Sequence, residues 1–316
     1  MAISEVKKEH LNVESVSWHD LTWVNIEQPT ERETEYLAKN YPFHPLDLDD
    51  CLSRTQRPKI DEYPQYLFIV FHFQVYNKAT RISTHSQVSV FIGEKYLITL
   101  HTGQLKPLRQ LFRQCQTDEE SRQEYFSRGS GYLLYRILDA LIDDYFPVLD
   151  KILSLLESVE DKVFDENVEA AVEVATLRRD IVTQRRIALP MRAVFGELET
   201  KLQRFTKIDM RVYFGDLIDH MNKICDTLDE CKEIIEIYKD SDFILSADRL
   251  NRIMRVLTVM STILLPFLVV SSIYGMNLHL PGGLTEGSLT SFVLVMLFMA
   301  VLTLGMLYYF RRKRWI

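Results

Sequence analysis

The 316-residue chain is predicted to fold as a mixed α+β domain that continues into a long helical stalk and ends in two transmembrane helices. Three observations carry this expectation. The first third holds runs of aromatic and β-branched residues, the second half holds a seven-residue apolar repeat, and two runs near the C-terminus, 256–274 and 289–310, contain no Asp, Glu, Lys, Arg or His.

The segments Tyr66 to Tyr76 and Gln87 to Thr102 have the composition of strands, and the turn signal Gly93-Glu94-Lys95 interrupts the second, so paired strands are expected. Thr30 with Glu33 forms a capping-box pattern that opens a helix toward Lys39, and a further short helix follows Pro45. From about Ser130 the pattern turns to long helices. Leu149, Ile152, Leu156, Val159 and Val163 recur at spacings of three and four, which implies a helical hairpin or bundle. Leu217, Met221, Ile224, Leu228, Cys231, Ile235 and Tyr238 continue in alternating steps of four and three, a narrow seam suited to association between helices. Burial against the rest of the same chain is the alternative. Asp219, Asp226 and Glu233 run beside the seam as a solvated face. A helix unbroken from Ile208 to Tyr274 would be roughly 100 Å long.

Each charge-free run matches a hydrocarbon core of about 30 Å. A charge at mid-bilayer costs about 2.5 to 3.5 kcal/mol, so the absence of charge is informative. Arg249, Arg252 and Arg255 precede the first run, Arg311, Arg312, Lys313 and Arg314 follow the second, and the loop 275–288 has no Lys or Arg. The positive-inside tendency places both termini in the cytoplasm and the loop outside. Pro266 interrupts the first span and frees the carbonyl of Thr262, a defect that membrane helices tolerate where neighbours satisfy it.

One face of the first span, Asn251, Met254, Thr258, Ser261, Leu265, Leu268 and Ser272, keeps the four-three spacing and carries most of its polar groups. It reads as a pore face, with ordinary packing between membrane helices as the alternative. Two spans cannot enclose a conduction path, so transport requires several copies about an axis. Asn277 then forms a ring of amides at the outer mouth. Such a ring would hold a hydrated magnesium ion through its waters, and Met254, Leu257 and Leu265 would form apolar constrictions that close by dewetting.

Other functions find little support. A net charge of −7 argues against a nucleic-acid binder. The start of the chain is polar and lacks the apolar core of a signal peptide. Cys51, Cys115, Cys225 and Cys231 follow no CxxC spacing and read as reduced structural thiols. There is no nucleophile motif, phosphate loop or HExxH, so the chain is not expected to be an enzyme. His72, His85 and His101 share the strand-rich region and read as structural or exposed.

His44-Pro45-Leu46, Thr55-Gln56-Arg57-Pro58-Lys59, the segment Tyr132 to Phe146, Asn251 to Thr258, the tetrad Tyr274-Gly275-Met276-Asn277 and the basic tail together resemble the CorA family of magnesium channels. The resemblance covers nearly the whole chain. It implies a funnel-shaped homopentamer in the cell's inner membrane, divided into a cytoplasmic αβα domain (1–129), long helices and stalk (130–250) and a two-helix transmembrane region (251–316). It also implies a selectivity filter at Gly275, Met276 and Asn277, a polar entrance ring at Asn251, and a gate at Met254, Leu257 and Leu265, with Thr258 and Ser272 on the pore face. Asp216 matches the stalk carboxylate through which cytoplasmic magnesium holds such channels closed. Magnesium is thus the implied cargo and regulator, with zinc, cobalt and nickel as alternatives.

Three features depart from the family pattern. The outer loop lacks Met-Pro-Glu-Leu after the tetrad and offers only Glu286, residues 77–93 contain no acidic partner for Asp216, and Leu268 stands where a hydroxyl is common. His279 beside the tetrad keeps a ZntB-like zinc transporter open, and a non-conducting scaffold on the same fold is a third reading.

Overall fold

The computed structural model describes residues 11–53, 56–77, 82–165, 170–206, 208–276 and 289–315. They divide into two compact units, 1–239 and 240–316.

The first unit is built on a six-stranded sheet of β1 (Val13–Trp18), β2 (Leu21–Glu27), β3 (Lys59–Glu62), β4 (Leu67–Asn77), β5 (Ile82–Ile92) and β6 (Tyr96–His101). Their spatial order is β1-β2-β6-β5-β4-β3, with β2 and β6 parallel and every other pair antiparallel. The strands β4 and β5 pair from Leu67↔Ile92 to Asn77↔Ile82. Alternate side chains of β4 enter two cores. Leu67, Ile69, Phe71 and Phe73 join the larger one, and Phe68 and Val70 the smaller. Burial on both faces is why this strand reads as a continuous apolar run.

The smaller core is covered by α1 (Glu31–Asn40) and α2 (Pro45–Leu52). The α1 capping box forms as expected, with the Thr30 backbone N–H donating to Glu33 Oε2 at 2.9 Å. His44 caps α2 by accepting from the Leu46 N–H at 3.3 Å, and Lys59 bridges Asp50 and Asp61 at 2.7 and 2.5 Å. These parts of the quoted motifs thus serve local structure.

The larger core takes side chains from α3 (Lys106–Thr117), α4 (Glu119–Phe126), α5 (Ser130–Asp143), α6 (Phe146–Phe164), α7 (Ala171–Leu202) and the start of α8 (Arg211–Tyr274). A polar network fastens α7 to the sheet inside it. The Ser83 N–H donates to Asp180 Oδ1 at 2.6 Å, Gln184 Nε2 to Ser83 Oγ at 2.5 Å, and Tyr145 Oη to Gln184 Oε1 at 2.7 Å.

The apolar seam of α8 belongs to this core. Leu217, Ile224, Leu228, Cys231 and Ile235 are fully buried within their own chain, which settles the seam as intramolecular packing. The physical reason is the helix pair α6 and α7, which offers a ready apolar trough. The contacts Phe146–His220 and Phe164–Tyr238 set α6 parallel to α8. The ion pairs Arg178–Glu236 (2.5 Å), Arg185–Asp229 and Arg192–Asp226 (3.9 Å) set α7 antiparallel to it. The face left exposed keeps the same four-three spacing, through Asp216, Asp219, Lys223, Asp226, Glu230 and Glu233.

The second unit contains the remainder of α8 and α9 (Leu289–Arg312). Both carry segments long and apolar enough to cross a membrane. The helix α8 stays α-helical through Pro266.

Ile224→Ala, which opens a cavity in the seam, should cost about 2–5 kcal/mol and lower the melting temperature of the detergent-solubilised chain. Asp219→Ala on the exposed stripe should leave it nearly unchanged. Equal shifts would place the seam outside the core. Burial raises the Asp180 carboxyl above its ordinary range, against the hydrogen bonds from Ser83. A raised folded pKa means that the native state holds the extra proton, so stability declines as pH rises from about 4. Asp180→Asn should flatten the pH dependence of melting, whereas parallel profiles for variant and wild type would contradict this.

Candidate functional site

Within the second unit, burial divides α8 into two stripes. Val259 is buried, and Arg255, Thr262, Ile263, Pro266 and Val270 on the same side are half-buried. A matching stripe on α9 consists of Val295, Met299, Leu302, Thr303, Met306 and Phe310. These are the faces the two helices turn inward. The predicted pore face, Asn251, Met254, Thr258, Ser261, Leu265, Leu268 and Ser272, is exposed at every position and lies about 120° away around the helix. Leu257 is also exposed but sits to one side of that line.

The hydroxyls are oriented by the helix itself. Thr258 Oγ1 donates to the Met254 carbonyl and Thr262 Oγ1 to the Thr258 carbonyl, both at 2.7 Å. With its proton committed to the backbone, the Thr258 oxygen can act outward only as an acceptor, the polarity that suits a cation or its bound water. Below, Arg255 lies 3.7 Å and Arg252 3.9 Å from Asp248.

At the other end, the Gly275 N–H donates to the Ser271 carbonyl at 2.9 Å and the Met276 N–H to the Ile273 carbonyl at 3.3 Å, closing the helix. A Cβ on Gly275 would stand 3.0 Å from the Ser271 carbonyl oxygen, so this tight closure favours glycine. Asn277, His279 and Glu286 lie outside the described residues.

Asp216 is exposed on α8, with His220 Nε2 at 3.8 Å from its Oδ1. Its influence reaches α5. The Asp139 carboxyl is raised first by burial and then by Asp143 and Asp216, against the opposing charges of Arg136 and His220. Within its own chain Asp216 therefore acts electrostatically on Asp139 of α5. Asp139 and Asp143 stand four apart on one helix face, but nothing in the sequence tied that face to Asp216. Among the described residues no group of three or more His, Cys, Asp or Glu side chains is arranged to hold a metal.

The three strand histidines do not converge. The rings of His72 and His85 stack at 4.6 Å, and burial together with His85 pushes His72 down to about 4. His101 is also pushed down to about 4, by burial and then Arg109, and its Nε2 lies 2.9 Å from Asn25 Oδ1 in a separate network. The four cysteines are free and buried.

The sequence model of the family described as "CorA-like Mg2+ transporter protein" matches residues 18–312. The chain belongs to the CorA family. It is 31% identical to the Bacillus subtilis protein YfjQ, provisionally named a metal ion transporter, over 99% of this chain and 94% of that one. It is 28% identical to the cobalt/magnesium transport protein CorA of Thermotoga maritima, over 93% and 83% of the two chains. The zinc transport protein ZntB of Yersinia pseudotuberculosis is 21% identical over 93% and 88%. The solved structure of the CorA magnesium transporter from Methanocaldococcus jannaschii superposes with a TM-score of 0.77 at 26% identity, covering 96% of this chain and 94% of that one. This CorA-family member is thus a membrane protein of a divalent metal ion transporter family, not an enzyme, with an α+β domain, a long helix and two membrane helices.

Proposed function

We propose that the chain assembles as a homopentamer in the cell's inner membrane and conducts divalent cations, magnesium foremost, into the cell. The observation that carries this reading is the exposed stripe from Asn251 to Ser272, which turns polar groups and apolar rings away from the face that α8 turns toward α9. Copies arranged about an axis would bring these stripes together. Asn251 would form the cytoplasmic entrance, Met254, Leu257 and Leu265 the gate, and Thr258 and Ser272 polar levels beside it. Gly275, Met276 and Asn277 would form the outer filter, where neutral oxygens hold a hydrated ion loosely enough for release. Both termini face the cytoplasm in this reading, with residues 1–129 as the soluble domain, 130–250 as the stalk and 251–316 as the membrane region.

Cytoplasmic magnesium would hold the closed state through Asp216, which is exposed and acts on the Asp139 carboxyl of α5. Its charge gives a ligand that a neutral residue cannot replace. Zinc is the second reading, supported by the similarity to a protein named as a zinc transporter and by His279 beside the tetrad.

Uptake of fluorescent-probe-detected ions into proteoliposomes separates the readings. Magnesium flux is expected. Zinc flux without magnesium flux would favour the second reading, and no flux of either would favour a scaffold. Asn277→Ala should abolish selective magnesium uptake with assembly intact, and wild-type flux in that variant would remove Asn277 from the filter. Asp216→Ala should weaken inhibition by internal magnesium, so unchanged inhibition would exclude it from the sensor.

A further inference from the structure

The ion pairs between α7 and α8 leave two oppositely charged surfaces unmatched. Along the outside of α7, Arg179, Val182, Arg186, Leu189 and Ala193 follow the four-three spacing and are exposed or half-buried. Beside them, an open cleft of about 350 Å³ between α7 and α8 is lined by Val182, Arg185, Arg186, Leu189, Pro190 and Lys232. Arg185 is engaged by Asp229. Arg179, Arg186 and Lys232 have no ion-pair partner among the described residues. On the exposed stripe of α8, Asp219, Glu230 and Glu233 likewise have none. The single cation on that stripe, Lys223, points its ammonium toward the Phe146 ring at 5.6 Å, so the stripe is acidic in effect.

We propose that the basic groove of Arg179, Arg186 and Lys232 in one copy receives the acidic stripe of Glu230 and Glu233 in the next. This contact rests on the reading of the chain as a ring of identical subunits, and it names the surfaces that close the ring outside the membrane. Register supports it. The pairs Arg178–Glu236 and Arg185–Asp229 put Arg179 level with Ile235 and Arg186 level with Leu228. Rotation about an axis parallel to α8 leaves height unchanged. The neighbour's Arg186 therefore arrives opposite the gap between Asp226 and Glu230, and its Arg179 opposite the turn that holds Glu233. Lys232 arrives level with Glu230 and Glu233. The two surfaces differ, so the contact is head-to-tail, the kind that builds rings when the rotation closes. Complementary charge of this kind fixes register and rejects like-charged partners.

The test uses the full-length chain in native membranes, treated with a short bis-maleimide. The four native cysteines are buried and should not react. Arg186→Cys combined with Glu230→Cys should give a ladder of cross-linked species on a denaturing gel, while each single substitution gives monomer alone. Arg179→Cys with Glu233→Cys should give the same ladder independently, which guards against misfolding of one variant. Monomer bands in both double variants, with the wild type oligomeric by native mass measurement, would overturn the docking proposal alone. A dimer band in the single variants as strong as the cross-linking in the double variants would also overturn it. A monomeric wild type would instead bring down the oligomeric reading on which the proposal rests.

Discussion

Burial of the α8 seam against α6 and α7 is the interaction on which the rest of this structure depends. A helix has one continuous surface, so fixing one stripe fixes every other. With Leu217, Ile224, Leu228 and Ile235 held in the core, the positions Asp219, Asp226 and Glu233 are directed to solvent without choice. The salt bridges to α7 add little energy at such exposure, but they set the level of one helix against the other.

The membrane-spanning part obeys a harsher rule. A bilayer core offers no water to satisfy a stray polar group, so every hydroxyl must find a partner nearby. Thr258, Thr262 and Thr303 do this by donating to carbonyls one turn earlier. The arrangement lets a helix carry oxygen atoms on an exposed face while remaining compatible with an apolar surround. Pro266 sits on the half-buried side of α8, away from the polar stripe.

The α+β domain shows the opposite solution, in which polar groups are buried in hydrogen-bonded clusters. His101, Asn25 and Thr99 form one such cluster, with Thr99 Oγ1 donating to Asn25 Oδ1 at 2.8 Å. Asp180, Ser83, Gln184 and Tyr145 form another. Burial keeps His101 neutral at physiological pH. Neither cluster belongs to a group arranged to hold a metal among the described residues.

Much of the architecture was legible in the sequence because it rests on local patterns. The β4–β5 hairpin announced itself through apolar runs, α1 through its capping box, α6 through its three-four repeat, and both membrane helices through the absence of charge. The strands β1, β2 and β3 carry no such local pattern. The flanking β1 and β3 are short, β1 largely exposed and β3 half-buried, and β2 (LTWVNIE) carries Asn25 and Glu27 among its apolar residues, so its strand character depends on pairing with β6. That Asn251, Met254, Thr258, Ser261, Leu265, Leu268 and Ser272 share one exposed side of α8 was also legible, because periodicity alone lists which residues share a side of a helix. What periodicity cannot supply is the identity of the surface that a side meets. The sequence could not decide whether the α8 seam met another copy or its own chain, nor that Asp216 would act on Asp139 of α5. Those are contacts between residues scores of positions apart, and only the packing of α5, α6 and α7 around α8 determined them.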